Sequence, residues 1–298
     1  MIFLEIKDIS IEDKHIFDKI INFSRKNAEA SFANLFIWGD IYNTKYSIIN
    51  DMLCVFYTSD SGVLKTIFPF GNGDIKSTIE IIKNNVFKDS DTFVMTAVCD
   101  DDKTKLEKIF GDKVSFEYDR DSSEYVYLSD KLITLSGKKL HAKRNHINKF
   151  ESIYDYRYKN IEPDDYEKCI LAVEEWMHDK YDGNTSEYFD ELKTIKKAFL
   201  NFEILGLNGG AIYIEDKLVA FTIGERLSYD MAVVHIEKAD TNYPGSFAII
   251  NREYIKHNWS DIKYINREED LGIEGLRKAK LSYYPDFLVD KYIATFNI

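Results

Sequence analysis

A mixed α/β architecture in two domains is what this sequence predicts, on three observations. The chain has 298 residues, about the length of two average domains. Strand-like apolar runs alternate with helical patterns from one end to the other. The composition, 45% apolar and 30% charged, is that of a folded globular chain rather than a disordered or fibrous one. No apolar run approaches the roughly 18 residues that a membrane-crossing helix needs.

In the first half, Ile9–Lys26 reads as a helix behind a Ser10 cap, with Ile16, Phe17, Ile20 and Ile21 on its apolar side. Leu53–Thr58 is rich in branched and aromatic residues, as strands are. Asp74–Phe87 carries Ile75, Ile79, Ile82 and Val86 at helical spacing. Thr92–Val98 is an apolar run of buried-strand type, Leu106–Phe110 a helix closed by Gly111, and Glu124–Leu128 a further strand. Trp38, in an apolar run, reads as a packing anchor.

The second half repeats the alternation. Tyr154–Tyr158 is a strand, and Pro163 opens a helix to about His178. Thr185 or Ser186 caps another helix to Leu200. Glu203–Leu207, Gly210–Glu215, Leu218–Gly224 and Met231–Ile236 read as strands, with Asp216-Lys217 as a hairpin turn. Pro244-Gly245-Ser246 opens a helix to His257. Ile262–Ile265 is a strand, and Ile273–Ser282 a helix stopped by Pro285.

The net charge is −12, and it is unevenly spread. Residues 1–150 hold 21 basic and 23 acidic side chains, while residues 151–298 hold 18 and 28. Such acidity opposes sequence-blind binding to nucleic acid or anionic lipid, which depends on Lys and Arg. It excludes DNA binding from the expected partners. The exception is the segment 138–149, with five Lys/Arg, two His and no acid. Cys54, Cys99 and Cys169 are odd in number and far apart, so no disulfide framework or zinc site is expected. With no basic apolar leader at the N-terminus, a cytoplasmic protein is expected. No metal site is read from the histidines, and no phosphate-binding glycine loop or nucleophile elbow is present.

Three places carry enough polar chemistry to form a site. The first is Asn266-Arg267-Glu268-Glu269-Asp270-Leu271-Gly272, between a strand and a helix, continuing to Arg277 and Lys280. Glu268 or Asp270 is a candidate general base if burial raises its pKa, and Tyr283 a candidate proton donor. Asn266, Arg267, Arg277 and Lys280 are candidate substrate-binding groups. The same segment also reads as a solvated turn with Asp270 as a helix cap. The second place is Tyr243-Pro244-Gly245-Ser246, where a helix start offers N–H groups to a donor phosphate. An ordinary Pro-Gly turn explains these residues too. The third is the basic segment, in which Leu140, Ile147 and Phe150 approximate one apolar face and Arg144 falls between them. Arg144 reads as a substrate contact or as a salt bridge between domains. Lys138, Lys139 and Lys149 read as a solvated face. Trp176 and Tyr181 border the Asp182-Gly183-Asn184 loop and are candidates to line a cleft.

Three segments together resemble a known family. They are 31–38 (SFANLFIW), 137–150 (GKKLHAKRNHINKF) and 265–280 (INREEDLGIEGLRKAK). They are similar to the C-terminal domain of phosphatidylglycerol lysyltransferases, and the resemblance spans nearly the whole chain. It implies two tandem GNAT-like acyltransferase domains, related to the Fem-type aminoacyl transferases. It assigns residues 1–135 to the first domain, 136–152 to a basic interdomain helix, and 153–298 to a second domain with the active cleft. It implies aminoacyl-tRNA or acyl-CoA as donor substrate rather than a bound cofactor, with tRNA contact through 138–149. The Tyr243–Phe247 loop departs from the QxxGxG/A pattern of CoA-binding GNAT proteins. The activity expected is transfer of an acyl or aminoacyl group to a small amine or hydroxyl. The alternative is a GNAT-like scaffold that binds a small molecule or peptide without catalysis.

Overall fold

The structure, a computed structural model, describes residues 4–59, 61–89, 93–181 and 186–297, with the side chains of 177–188 outside the description. The Asp182-Gly183-Asn184 loop, the Thr185 cap and the Tyr181 side chain fall outside it. Two compact units each contain a mixed sheet and helices, as expected for tandem GNAT-like domains. Among the described residues no helix is long and apolar enough to cross a membrane.

The division of the chain differs from the expected cut near residue 135. One unit takes residues 1–124, 269–272 and 289–298, and the other takes 125–268 and 273–288. The cause is strand pairing over long sequence distance. The last strand, Lys291–Phe296, inserts between Phe93–Cys99 and Val114–Tyr118 of the first sheet. Glu124–Leu128 pairs with Tyr264–Asn266 in the second sheet. The helix His141–Ile153 is no interdomain element. Its Ile147 and Phe150, with the preceding Leu140, are buried in the second unit's own core. Burial of Phe150 alone contributes about 2–3 kcal/mol. Lys138, Lys139 and Lys149 are exposed, as the apolar spacing predicts.

Several elements match their sequence signals closely. Asp74 caps Ile75–Asn85 by accepting the Ser77 N–H, and Gly111 ends Asp100–Phe110 at φ +53°. Three acids in the first turn of Asp100–Phe110 favour that helix end. Two expectations fail locally. The helix in Ile9–Lys26 stops at Ile20, because Ile21 is extended and Asn22 accepts the Ser24 N–H. Glu203–Leu207 is not a strand: Phe202–Leu205 is one helical turn, closed by Gly206 at φ +74°.

In the second sheet the strand order is Phe287–Val289, Glu124–Leu128, Tyr264–Asn266, Met231–Ala239, Lys217–Arg226, Asn208–Ile214, Tyr156–Asn160. Met231–Ala239 runs antiparallel to Lys217–Arg226 but parallel to Tyr264–Asn266. The parallel pairing covers three residues, from Met231/Tyr264 to Val233/Asn266, and the strands then part. Helix Ser246–Asn258 packs on this sheet through Ala248, Ile249, Ile250 and Ile255. At the same level the register with Lys217–Arg226 shifts: Ile223 pairs with Ile236 and Gly224 with Val234, so His235 is the extra residue of a bulge in Met231–Ala239. A Cβ at Gly224 would lie 2.1 Å from the Val233 carbonyl oxygen. Gly224→Ala is therefore expected to cost about 3 kcal/mol in urea unfolding.

Candidate active site in the second unit

Where the pairing ends, Met231–Ala239 continues through a bulge at His235, which interrupts the alternation of its side chains. Glu237 lies opposite Thr222 and Val233 opposite Glu225, so the two take opposite faces of the sheet, with His235 as the unpaired residue between them. The residues that follow Tyr264–Asn266 face this stretch. Asn266 is fully buried, and its side-chain oxygen accepts the Glu268 N–H at 2.7 Å. That turn holds Glu268 at φ +56°, and the Glu268 carbonyl accepts the Tyr125 N–H.

His235 lies between two carboxylates. Its Nδ1 is 2.7 Å from Glu268 and its Nε2 is 3.0 Å from Glu225, with the imidazole wholly buried. Burial disfavours the imidazolium, but the two carboxylates outweigh it and push the pKa up to about 10. His235 is therefore a cation at neutral pH and orients the Glu268 side chain. A pKa raised from 6.5 gives stabilisation that is complete below pH 6.5 and lost as pH rises through about 10. His235→Gln should accordingly lose much stability at pH 6 and far less above pH 10, measured by urea unfolding. A loss independent of pH would contradict the doubly paired imidazolium.

Arg267 and Glu237 form the second pair. Arg267 Nη2 donates to Glu237 Oε1 at 2.8 Å, and Asn251 Nδ2 donates to Glu237 Oε2 at 3.1 Å. The guanidinium carbon lies 5.0 Å from the Tyr283 ring centre and 5.9 Å from that of Tyr127. Two buried polar atoms beside Glu237 have no partner among the described residues. These are the donor Arg267 Nη1 and the acceptor Asn251 Oδ1. Buried polar atoms are normally bonded, so this pair can take a water or another polar group. Tyr283 is buried, which pushes its hydroxyl up to about 12 and keeps it neutral over the physiological range. Lys280 Nζ donates to the Arg267 carbonyl at 2.6 Å, which fixes the backbone that carries Arg267.

The other sequence candidates have different places. Asp270 is fully buried in the first unit, where it accepts from Arg120 at 3.3 Å and from the Gly272 N–H at 2.9 Å. It is not the cap of Glu274–Leu281, whose N-cap is Ile273. Arg144 donates to the carbonyls of Leu135 and Gly137, so it secures the end of Ser129–Thr134 rather than bridging domains. Arg277 lies half-buried on Glu274–Leu281. Trp176 stacks on Phe221, with ring centres 6.2 Å apart. Tyr243 packs on Tyr154, and Lys217 lies over its ring. Gly245 sits at φ +104° against the His146 carbonyl, where a Cβ would come within 2.9 Å. Ser246 uses its N–H on Tyr243 and its hydroxyl on Asp240. The start of Ser246–Asn258 is thus packed on His141–Ile153.

The sequence reading missed His235, Glu237, Asn251 and Lys143. The available signal was a His and a Glu at alternate positions in Val233-Val234-His235-Ile236-Glu237, inside an otherwise apolar strand.

Comparisons with known proteins bear on the fold and the family. A conserved protein of unknown function from Bacteroides thetaiotaomicron VPI-5482 is 38% identical, with a TM-score of 0.92 over 99% of this chain and 100% of its own. A tandem GNAT protein from the clavulanic acid biosynthesis pathway shares the fold, with a TM-score of 0.51 over 98% of each chain at 10% identity. An uncharacterized protein of Mycoplasmoides gallisepticum is 28% identical over 177 residues, 58% of this chain and 56% of that protein. The chain thus matches about half the length of that relative. The family model described as phosphatidylglycerol lysyltransferase, C-terminal, matches residues 21–295. With the fold repeated in two units and the match running from the first helix region to the last strand, the chain belongs to the phosphatidylglycerol lysyltransferase C-terminal family.

Proposed function

We propose that the second unit transfers an acyl or aminoacyl group from an activated donor to a small amine or hydroxyl acceptor. The donor is an aminoacyl-tRNA or an acyl thioester such as acyl-CoA. The observation that carries this reading is the unpartnered Arg267 Nη1, buried where the two parallel strands part. A guanidinium N–H held there by Glu237 is preorganised for a carbonyl oxygen that gains negative charge during acyl transfer. Glu268, oriented by His235, is the candidate base for the attacking amine or hydroxyl. Tyr283, neutral and alongside Arg267, is the candidate proton donor to the leaving group. Positioning and oxyanion stabilisation suffice for such chemistry. The exposed Lys138, Lys139 and Lys149 are where tRNA phosphates would be met. Membership of a lysyltransferase family supports the aminoacyl form of the reaction.

The test is a transfer assay with labelled aminoacyl-tRNAs and acyl-CoAs against a panel of small amines and alcohols. One donor class should give saturable, protein-dependent product. Saturable binding of a donor or acceptor with no product from any pair would favour the non-catalytic scaffold.

A further inference from the structure

The structure points to a nucleophilic amine beside this site. Lys143, on His141–Ile153, is half-buried, and its Nζ lies 4.1 Å from the centre of the Tyr283 ring. Arg267 lies over the same ring, 5.0 Å from its centre. Two cations thus share one buried aromatic ring. The nearby carboxylate, Glu237, is already engaged by Arg267 and Asn251. Lys143 has no hydrogen bond or ion pair among the described residues. Arg267 cannot give up its proton under these conditions, so the strain of the paired charges falls on Lys143.

We propose that Lys143 takes up acyl groups from activated acyl thioesters, a self-acylation site on the helix beside the cleft. The groups around it agree with this. Burial first, and then Arg267, lower its pKa to about 8, against an opposing pull from Glu237. Tyr283 is neutral, and Lys139 and His146 lie one turn away along its own segment. In the reaction the neutral amine nitrogen attacks the thioester carbonyl carbon. A C–N bond forms, the C–S bond breaks, and the sulfur leaves with the electron pair. The sulfur takes the proton that nitrogen loses, so the products are an amide and a thiol.

The site does not depend on the transfer reaction, and its test is separate. The full-length protein is incubated with a small acetyl thioester from pH 6.5 to 10.5, and acetylation is mapped by peptide mass spectrometry. At pH 7.5 an amine of pKa about 8 is about one quarter neutral, against about one in a thousand for an ordinary lysine. Lower intrinsic nucleophilicity offsets about one order of that advantage, by Brønsted reasoning. Lys143 should therefore be acetylated about twentyfold faster than the median lysine, with a rate midpoint near pH 8. Lys143→Arg should remove that fast phase and leave the remaining lysines unchanged. Acetylation at Lys143 no faster than elsewhere, none at all, or a midpoint near that of exposed lysines would overturn the proposal.

Discussion

Lys291→Ala should destabilise the protein by about 3–5 kcal/mol, the largest loss of any single replacement considered. Lys291 is buried on the last strand, and its ammonium is 2.6 Å from Glu29 and 2.6 Å from Glu124, also buried. Glu124 further accepts the Ala28 N–H, and Glu29 accepts from Asn27. Burial penalises the Lys291, Glu29 and Glu124 charges, yet the Lys291 pKa is held well above its usual value by Glu124, Glu29 and Glu269. Removal of the ammonium leaves Glu124 buried without its cation, beside the partly buried Glu29. One of them must then take up a proton or draw water inward, and either costs more than the lost hydrogen bonds. The same contacts tie the Asn27–Ala30 turn and the start of Glu124–Leu128 to the last strand, so the expected fault lies in the first unit's closure. Urea unfolding of the variant measures the loss. A change below about 1 kcal/mol would mean that the triad contributes little beyond packing.

Arg267→Gln should lower kcat/KM for transfer by about 10²–10³, the range seen when one oxyanion donor is removed. Stability should fall as well, because Glu237 loses its cation while Asn251 still holds it in place. The two effects are separable. Arg267→Lys retains a charge near Glu237 but lacks the second arm of the fork. It should recover most of the stability while transfer stays depressed by at least about tenfold. If Arg267→Lys restored both together, Arg267 would be a structural cation and no more.

Much of the fold was legible in the sequence because its signals are local. Asp74 and Gly111 mark helix ends by their own conformational needs, and the 3.6-residue spacing of Ile75, Ile79 and Ile82 fixes the buried side. The apolar face of the basic helix, Leu140, Ile147 and Phe150, was legible for the same reason. The domain boundary was not. It depends on Lys291–Phe296 returning to Phe93–Cys99, nearly two hundred residues earlier, and no local spacing records that pairing. The site was half legible. The Asn266–Glu268 segment announces itself by polarity, and Asn266, Arg267 and Glu268 all enter the cluster. Asp270, two residues further on, looks the same in sequence but is committed to Arg120 in the first unit. His235 and Glu237 escaped notice because the bulge at His235 breaks the strand's alternation, and because no local pattern shows what lies across from a side chain.

The most direct test of the transfer site is a crystal structure with a non-hydrolysable acyl or aminoacyl thioether donor analogue. Density is expected between Met231–Ala239 and Arg267, with the analogue's carbonyl oxygen about 3 Å from Arg267 Nη1 and near Tyr283. An analogue bound away from Arg267, with only an ordered water on Nη1, would contradict it.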